Sequence, residues 1–256
     1  MEQYIQTELD RISNEQQLTV LYSCESGSRG WGFASPDSDY DVRFIYVKPV
    51  EWYLTIQDRK DQIDLFLSHD LDLNGWDIGK LLRLLYKSNA TPYEWLQSPV
   101  IYRKNETFQN ALWTLAQQYF QPRATLRHYI GLAKNAYRSG LISESEINVK
   151  KLFYVLRPLF AALWIAERKS IAPMAFSELM PVLETHPGIK ALIDDLWQQK
   201  IEAKEGDAIT LPPELSTFIE QQCQHCDNIA DSLEKKPVQM DALDQFFRST
   251  VVNNPT

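Results

Sequence analysis

The sequence predicts an α+β fold: a small domain of strands and helices over residues 1–105, followed by a helical domain over residues 106–250. Three observations carry that division. Before about residue 100, short β-branched and aromatic runs are separated by turn chemistry. From Ile78 onward, apolar residues recur at spacings of three and four. At 256 residues and 44% hydrophobic content, the chain can bury one large core or two modest ones.

The first element is a helix over residues 2–13, with Tyr4, Ile5, Leu9 and Ile12 on one face. Residues 18–23 (LTVLYS) follow as a strand that ends at Glu25-Ser26-Gly27. Residues 41–47 (DVRFIYV) alternate as a second strand, stopped by Pro49. Residues 62–67 (QIDLFL) and 71–77 (LDLNGWD) read as two more strands, divided by the polar Ser68, His69 and Asp70. Asp77 is placed to N-cap the helix that opens at Ile78. Five helical patterns then follow, centred on Leu112, Ile130, Leu156, Leu196 and Cys223. The third, over residues 148–166, is apolar nearly all round and should be the buried central helix. Pro173, Pro181, Pro187 and the Pro212-Pro213 pair fall between these patterns, where helix interruption is tolerated.

Composition narrows the function. The N-terminus has neither the basic start nor the apolar stretch of a secretory signal. No apolar run is long enough for a membrane span of about 20 residues. A soluble, cytoplasmic protein without membrane partners is expected, and three cysteines are too few for a disulfide framework. The net charge of −8 argues against nucleic-acid binding through a global basic field. Residues 121–170 nevertheless carry nine Lys or Arg against three Glu. That surplus suits either local phosphate handling or ordinary solvated helix faces.

The segment that carries chemistry runs from Cys24 to Val42 (CESGSRGWGFASPDSDYDV). A strand leads into Gly27-Ser28, and after ten intervening residues comes Asp39-Tyr40-Asp41, opening a second strand. Gly27 lets backbone approach a polyphosphate closely, N–H groups at a helix start are donors for phosphate oxygens, and Ser28 can add a hydroxyl. Asp39 and Asp41 lie two apart on a strand, so their side chains share a side. Two carboxylates on one side suit a pair of Mg²⁺ ions, which take hard oxygen ligands together with substrate phosphates. The alternative is a hairpin loop whose Asp, Ser and Gly merely make turns. Pro36-Asp37-Ser38 does read that way, which makes Asp37 structural. Asp-Tyr-Asp at the head of an apolar strand is poor β material, and paired carboxylates repel unless a cation is shared.

Gly-Ser followed by Asp-x-Asp is the signature of the DNA polymerase β nucleotidyltransferase superfamily. The fuller string GSRGWGFASPDSDYDVRFIYV resembles its RNA-ligase-associated, or RlaP-like, branch. LDLNGWDIGKLLRLL, KSNATPYEWLQSPVIY and KKLFYVLRPLFAALWI extend the resemblance to about residue 165. It implies a polymerase-β-like domain, with a mixed sheet and flanking helices. It also implies a Mg²⁺-bound nucleoside triphosphate, with ATP expected, and transfer of a nucleotidyl group to an acceptor hydroxyl; the acceptor itself, an RNA end, a protein hydroxyl or a small molecule, is not supplied by the resemblance. RNA end processing follows by analogy with the branch's name.

The superfamily also implies a third carboxylate on a later strand. Asp64, Asp70, Asp72 and Asp77 are candidates. Asp72, between Leu71 and Leu73, has the flanks of an inward carboxylate and is favoured as third metal ligand or base, with Asp64 second. Lys80, early in the following helix, could reach a triphosphate or could be a solvated lysine. Lys151, Tyr154 and Arg157, spaced three apart on an apolar helix, could contact nucleotide or be satisfied internally. Asn89 and Glu94 read as capping and bracing residues. Cys223-Gln224-His225-Cys226 lacks the second ligand pair that zinc needs, and its cysteines read as core. Two other function classes remain open: a nucleotide-binding regulatory or antitoxin-like protein with little turnover, and a phosphohydrolase using Asp39, Asp41 and His69.

Overall fold

In the computed structural model the residues described are 1–36, 38–67, 70–143, 146–202, 207–235 and 237–254. Asp37, read above as a turn residue, and His69, offered as a hydrolase ligand, lie outside them. The chain is α+β and forms two compact units, one of residues 1–30, 39–119 and 237–256 and one of residues 31–38 and 120–236.

The first unit begins with α1 (Glu2–Gln16), closed by Gln17 in the left-handed region at φ 48°. Then come β1 (Thr19–Glu25), the short α2 (Gly27–Trp31), β2 (Tyr40–Val47) and the turn-like α3 (Val50–Tyr53). They are followed by β3 (Gln62–Leu67), β4 (Leu71–Asp77), α4 (Ile78–Tyr86), α5 (Ala90–Leu96), β5 (Ile101–Lys104) and α6 (Glu106–Tyr119). The sheet order is β3-β4-β2-β1-β5, with β2 and β4 parallel and the other neighbours antiparallel. It is a mixed sheet with flanking helices, as expected.

Alternation decides which face does what. Val42, Phe44 and Tyr46 of β2 and Leu71 and Leu73 of β4 form one core with Ile5, Leu9 and Ile12 of α1. Each such side chain contributes about 1.5–3 kcal/mol by leaving water. The residues between them, Asp41 and Arg43 on β2 and Asp72 and Asn74 on β4, are thereby turned to the opposite face.

Asp77 caps α4, accepting the Gly79 N–H at 2.7 Å, and its other oxygen takes the Tyr53 hydroxyl at 2.7 Å. Asn89 caps α5 in the same way, accepting the Thr91 N–H at 2.9 Å. Burial pushes the Asp77 carboxyl up, against the bonds from Tyr53 and Gly79. The folded chain therefore holds this proton more tightly than the unfolded chain does. Stability must then fall as pH rises from the ordinary carboxyl range through the folded value. Asp77→Asn keeps a good cap and removes the ionisation. The variant should gain on the wild type in urea melts as the pH is raised above about 4. A constant difference across that range would refute the effect.

In the second unit, α7 (Pro122–Gly140), β6 (Glu146–Asn148) and α8 (Val149–Arg168) come first. The short α9 (Phe176–Leu179), a 3-10 turn (Met180–Leu183), α10 (Pro187–Glu202), β7 (Ala208–Thr210) and α11 (Pro213–Ser232) follow. β6 and β7 pair as a two-stranded antiparallel ribbon. α8 is the central buried helix, capped by Asn148 and packed by α7 and α11. Residues 31–38 belong to this unit through Phe33, whose ring meets Phe153 and Phe176 at 5.6 Å each.

The last helix, α12 (Asp241–Asn253), belongs to the first unit, where Phe246 and Phe247 meet Phe108 and Tyr53 at 5.8 and 5.2 Å. That unit therefore takes in α6 and α12, both of which lie beyond residue 105. Among the described residues no helix is long and apolar enough to cross a membrane.

Candidate active site

The parallel pairing of β2 and β4 sets Asp41 directly opposite Asp72. Both carboxylates point away from α1, and Arg43, two residues along β2, reaches both. Its Nη2 donates to Asp41 Oδ1 at 2.8 Å and to Asp72 Oδ2 at 2.9 Å. Its Nη1 donates to the carbonyls of Asp72 at 3.2 Å and Val42 at 3.3 Å.

Asp41 is the more enclosed of the pair, its side chain 26% exposed against 37% for Asp72. Burial pushes its carboxyl up, Arg43 pulls it down, and Asp72 and Asp39 push it up again. Its backbone N–H donates to Glu25 Oε1 at 2.7 Å, and its carbonyl accepts the Ser26 N–H at 2.8 Å. Glu25 is fully buried, and its second oxygen takes the Tyr102 hydroxyl. Burial raises the Glu25 carboxyl as well, against those two donors.

The Gly27-Ser28 turn closes on this acid. Gly27 has φ +56°, and a Cβ there would sit 2.0 Å from Asp41 Oδ2. Only a residue without a side chain lets the turn come so close. Ser28 is buried beside it in α2. Asp39 lies just before β2 with its side chain exposed. Its carbonyl accepts Arg29 Nε at 3.1 Å, while the Arg29 guanidinium sits 4.0 Å over the Tyr40 ring.

The other predicted residues are distributed as follows. Asp64 is exposed and takes hydrogen bonds from Gln62 and Asn74, and Asp70 occupies a turn at φ 56°. Lys80 lies 5.1 Å from the Trp76 ring and bonds the Gln62 side chain. Lys151, Tyr154 and Arg157 belong to the second unit, on α8. Lys151 and Tyr154 are exposed there, whereas Arg157 is only 1% exposed. Arg157 lies between the rings of Trp31 and Tyr129, at 5.0 and 5.6 Å, and donates to the Met174 carbonyl at 3.2 Å. Within the basic stretch, Arg127 and Lys134 of α7 pair with Asp231 and Asp227 of α11. Cys223 and Cys226 are buried free thiols on α11, and burial pushes Cys226 up to about 12.

Sequence reasoning missed Arg43, Glu25 and Tyr102. Arg43 had a signal: it continues the same-side series of Asp39 and Asp41 at a spacing of two. Glu25 had a weaker one, as an acid in the last position of an apolar strand.

Among the described residues no group of three or more His, Cys, Asp or Glu forms a ready cage for a metal. The Asp41–Asp72 pair nevertheless fits a hard cation. Its donors are carboxylate oxygens, and one cationic nitrogen already meets an oxygen of each acid within 3 Å.

The family model described as "RlaP: RNA repair pathway DNA polymerase beta family" matches residues 1–249. The chain belongs to the RlaP family. It is 38% identical over 252 residues to a Bacillus subtilis (strain 168) relative described as an uncharacterized protein, YcgL; the match covers 98% of this chain and 96% of that one. A nucleotidyltransferase-like protein from Exiguobacterium sibiricum, known from a crystal structure, aligns over 91% of this chain and 75% of its own, at 13% identity and a TM-score of 0.33. RlaP membership places the chain in a family of the polymerase-β type.

Proposed function

We propose that this RlaP protein moves a nucleoside monophosphate from a nucleoside triphosphate, ATP first among them, to an acceptor hydroxyl, with an RNA end as the acceptor class. The observation that carries the reading is the pairing of Asp41 with Asp72 across parallel strands, with Gly27 closing on Asp41. In the reaction the acceptor oxygen forms a bond to the α-phosphorus. The bond from that phosphorus to the β-phosphate oxygen breaks, and pyrophosphate leaves with the electron pair.

Asp72 is the proposed base for the hydroxyl proton or the third metal ligand, and Asp39 and Asp41 are the proposed ligands of two Mg²⁺ ions. Bound there, magnesium would supply charge neutralisation for the attacking and leaving oxygens. Gly27 and Ser28 would offer backbone N–H groups and a hydroxyl to the phosphates. Lys80 is a further candidate for the triphosphate, and Lys151, Tyr154 and Arg157 are candidates for nucleotide or acceptor. The burial of Arg157 favours a structural share in its case.

A nucleotide-binding regulator with little turnover is the second reading. One observation favours it: Arg43 already sets a positive charge between the paired acids. Incubation with each α-labelled nucleoside triphosphate, Mg²⁺ and RNA ends of defined chemistry separates the two. Label on the acceptor with equimolar pyrophosphate is expected, and it should vanish in the Asp39→Ala/Asp41→Ala protein. Transfer that survives in the double variant, or no pyrophosphate from any pairing, would defeat the enzymatic reading.

A further inference from the structure

Arg43 meets the two acids in an unusual way. Guanidinium–carboxylate pairs are commonly forked, with two nitrogens serving two oxygens of one acid. Here one nitrogen, Nη2, serves two acids at 2.8 and 2.9 Å, which is how two ligands share an ion. The other terminal nitrogen is tied to main-chain carbonyls at 3.2 and 3.3 Å. Those two anchors do not depend on the carboxylates. The guanidinium thus keeps a resting place on the backbone if either acid turns to another partner. The side chains involved are 17%, 26% and 37% exposed, so water screens the attraction less than it would on an open surface.

We propose that Arg43 is a resident cation of the site. It holds Asp41 and Asp72 together while no metal is bound, and it yields them when a divalent cation arrives. The metal affinity of the site is then set by competition with the protein's own arginine. Arg43 acts through the two acids and is in this sense a positioning residue. The inference rests on the proposed reading only so far as Asp41 and Asp72 are metal ligands; it does not require turnover.

Two further consequences follow from the competition. Exchange of one cation for another leaves the acids paired in either state, and because the competition weakens metal binding, a given metal concentration should stabilise the wild type only modestly. Loss of the arginine should make the metal-free protein less stable and the metal effect larger, because two half-buried acids would then face each other with no cation between them.

The test is Mn²⁺ binding to the full chain without nucleotide, read as free Mn²⁺ by electron paramagnetic resonance, alongside thermal melts in chelator and in Mn²⁺. Arg43→Met should bind Mn²⁺ on the order of tenfold more tightly than wild type, the scale of one competing ion pair. Its melting temperature should be lower in chelator and should rise more on adding Mn²⁺. Arg43→Lys keeps the charge but loses the fork that reaches both acids and both carbonyls. It should show a smaller gain in the same direction, and it serves if Arg43→Met does not fold. Adding Asp41→Asn to Arg43→Met, or to Arg43→Lys in that event, should abolish the gain.

Affinity equal to or weaker than wild type in a folded Arg43 variant overturns the proposal. So does a gain that survives Asp41→Asn, since the metal is then bound elsewhere. The two readings fail separately. Tighter Mn²⁺ binding with no nucleotidyl transfer leaves the competition standing and removes the reaction, and transfer with unchanged Mn²⁺ affinity does the reverse.

Discussion

Asp41→Asn is expected to lower nucleotidyl transfer by about a thousandfold or more while leaving the chain folded. The substitution keeps the size of the side chain, the close approach of Gly27 and the backbone bonds to Glu25 and Ser26. It removes the negative charge that the proposed metal needs. Metal-held charge stabilisation is worth several kcal/mol in such a transition state, and each 1.36 kcal/mol is about tenfold in rate. Stability should change by only about 1 kcal/mol, since burial already opposes the charge while Arg43 favours it. The check is single-turnover transfer of label beside a thermal melt. Transfer within about tenfold of wild type, in a folded variant, would remove Asp41 from the machinery.

Gly27→Ala is the second large effect, and here fold and site fail together. The residue must hold φ +56°, which costs a residue with a Cβ about 1–2 kcal/mol. The new methyl would also stand 2.0 Å from Asp41 Oδ2 and 2.8 Å from its Cγ, so the carboxylate must move. Overpacking of that kind adds about 1–3 kcal/mol. Together these should depress the melting temperature by roughly 5–10 °C in a chain of this length. A shift of about 1 Å in a reacting group is worth about a hundredfold in rate, so transfer should fall as well. Gly32→Ala provides the control. Gly32 has φ +84° but nothing within 4 Å of its Cβ position, so it carries the backbone strain without the collision. Equal losses in the two variants would mean that the approach to Asp41 does not matter.

Much of the site was legible in the sequence because its elements are local. The spacing of Asp39 and Asp41 and the Gly27-Ser28 turn before them can be read along the chain, although Asp39 lies just before β2 and only Asp41 is on the strand. Asp72 was legible as a candidate from its leucine flanks, but the leucines face the core and turn Asp72 to the opposite face, and its position opposite Asp41 was not legible. That depends on the register of two strands some thirty residues apart, with β3 between them in the chain. Arg43 stayed hidden for the same reason, since half of its role is a bond to Asp72. The spacing of Lys151, Tyr154 and Arg157 on one helix said nothing of depth: two are exposed and the third is enclosed by Trp31 and Tyr129. β5 carries no strong alternation in its four residues, and it is ordered by pairing with β1. The return of α12 to the first unit likewise depends on Phe246 and Phe247 finding Phe108 and Tyr53, contacts that no local period announces.

The threading of the chain has a practical consequence. The sheet unit is written in three separate stretches and the helical unit in two, and residues 31–38 lie between the Gly27-Ser28 turn and the Asp39–Asp41 pair. No single cut yields either unit whole: stopping after residue 119 discards α12, and starting at residue 120 discards Trp31 and Phe33. Recombination between relatives faces the same arithmetic. A crossover anywhere between residues 39 and 236 leaves both the sheet unit and the helical unit with mixed parentage.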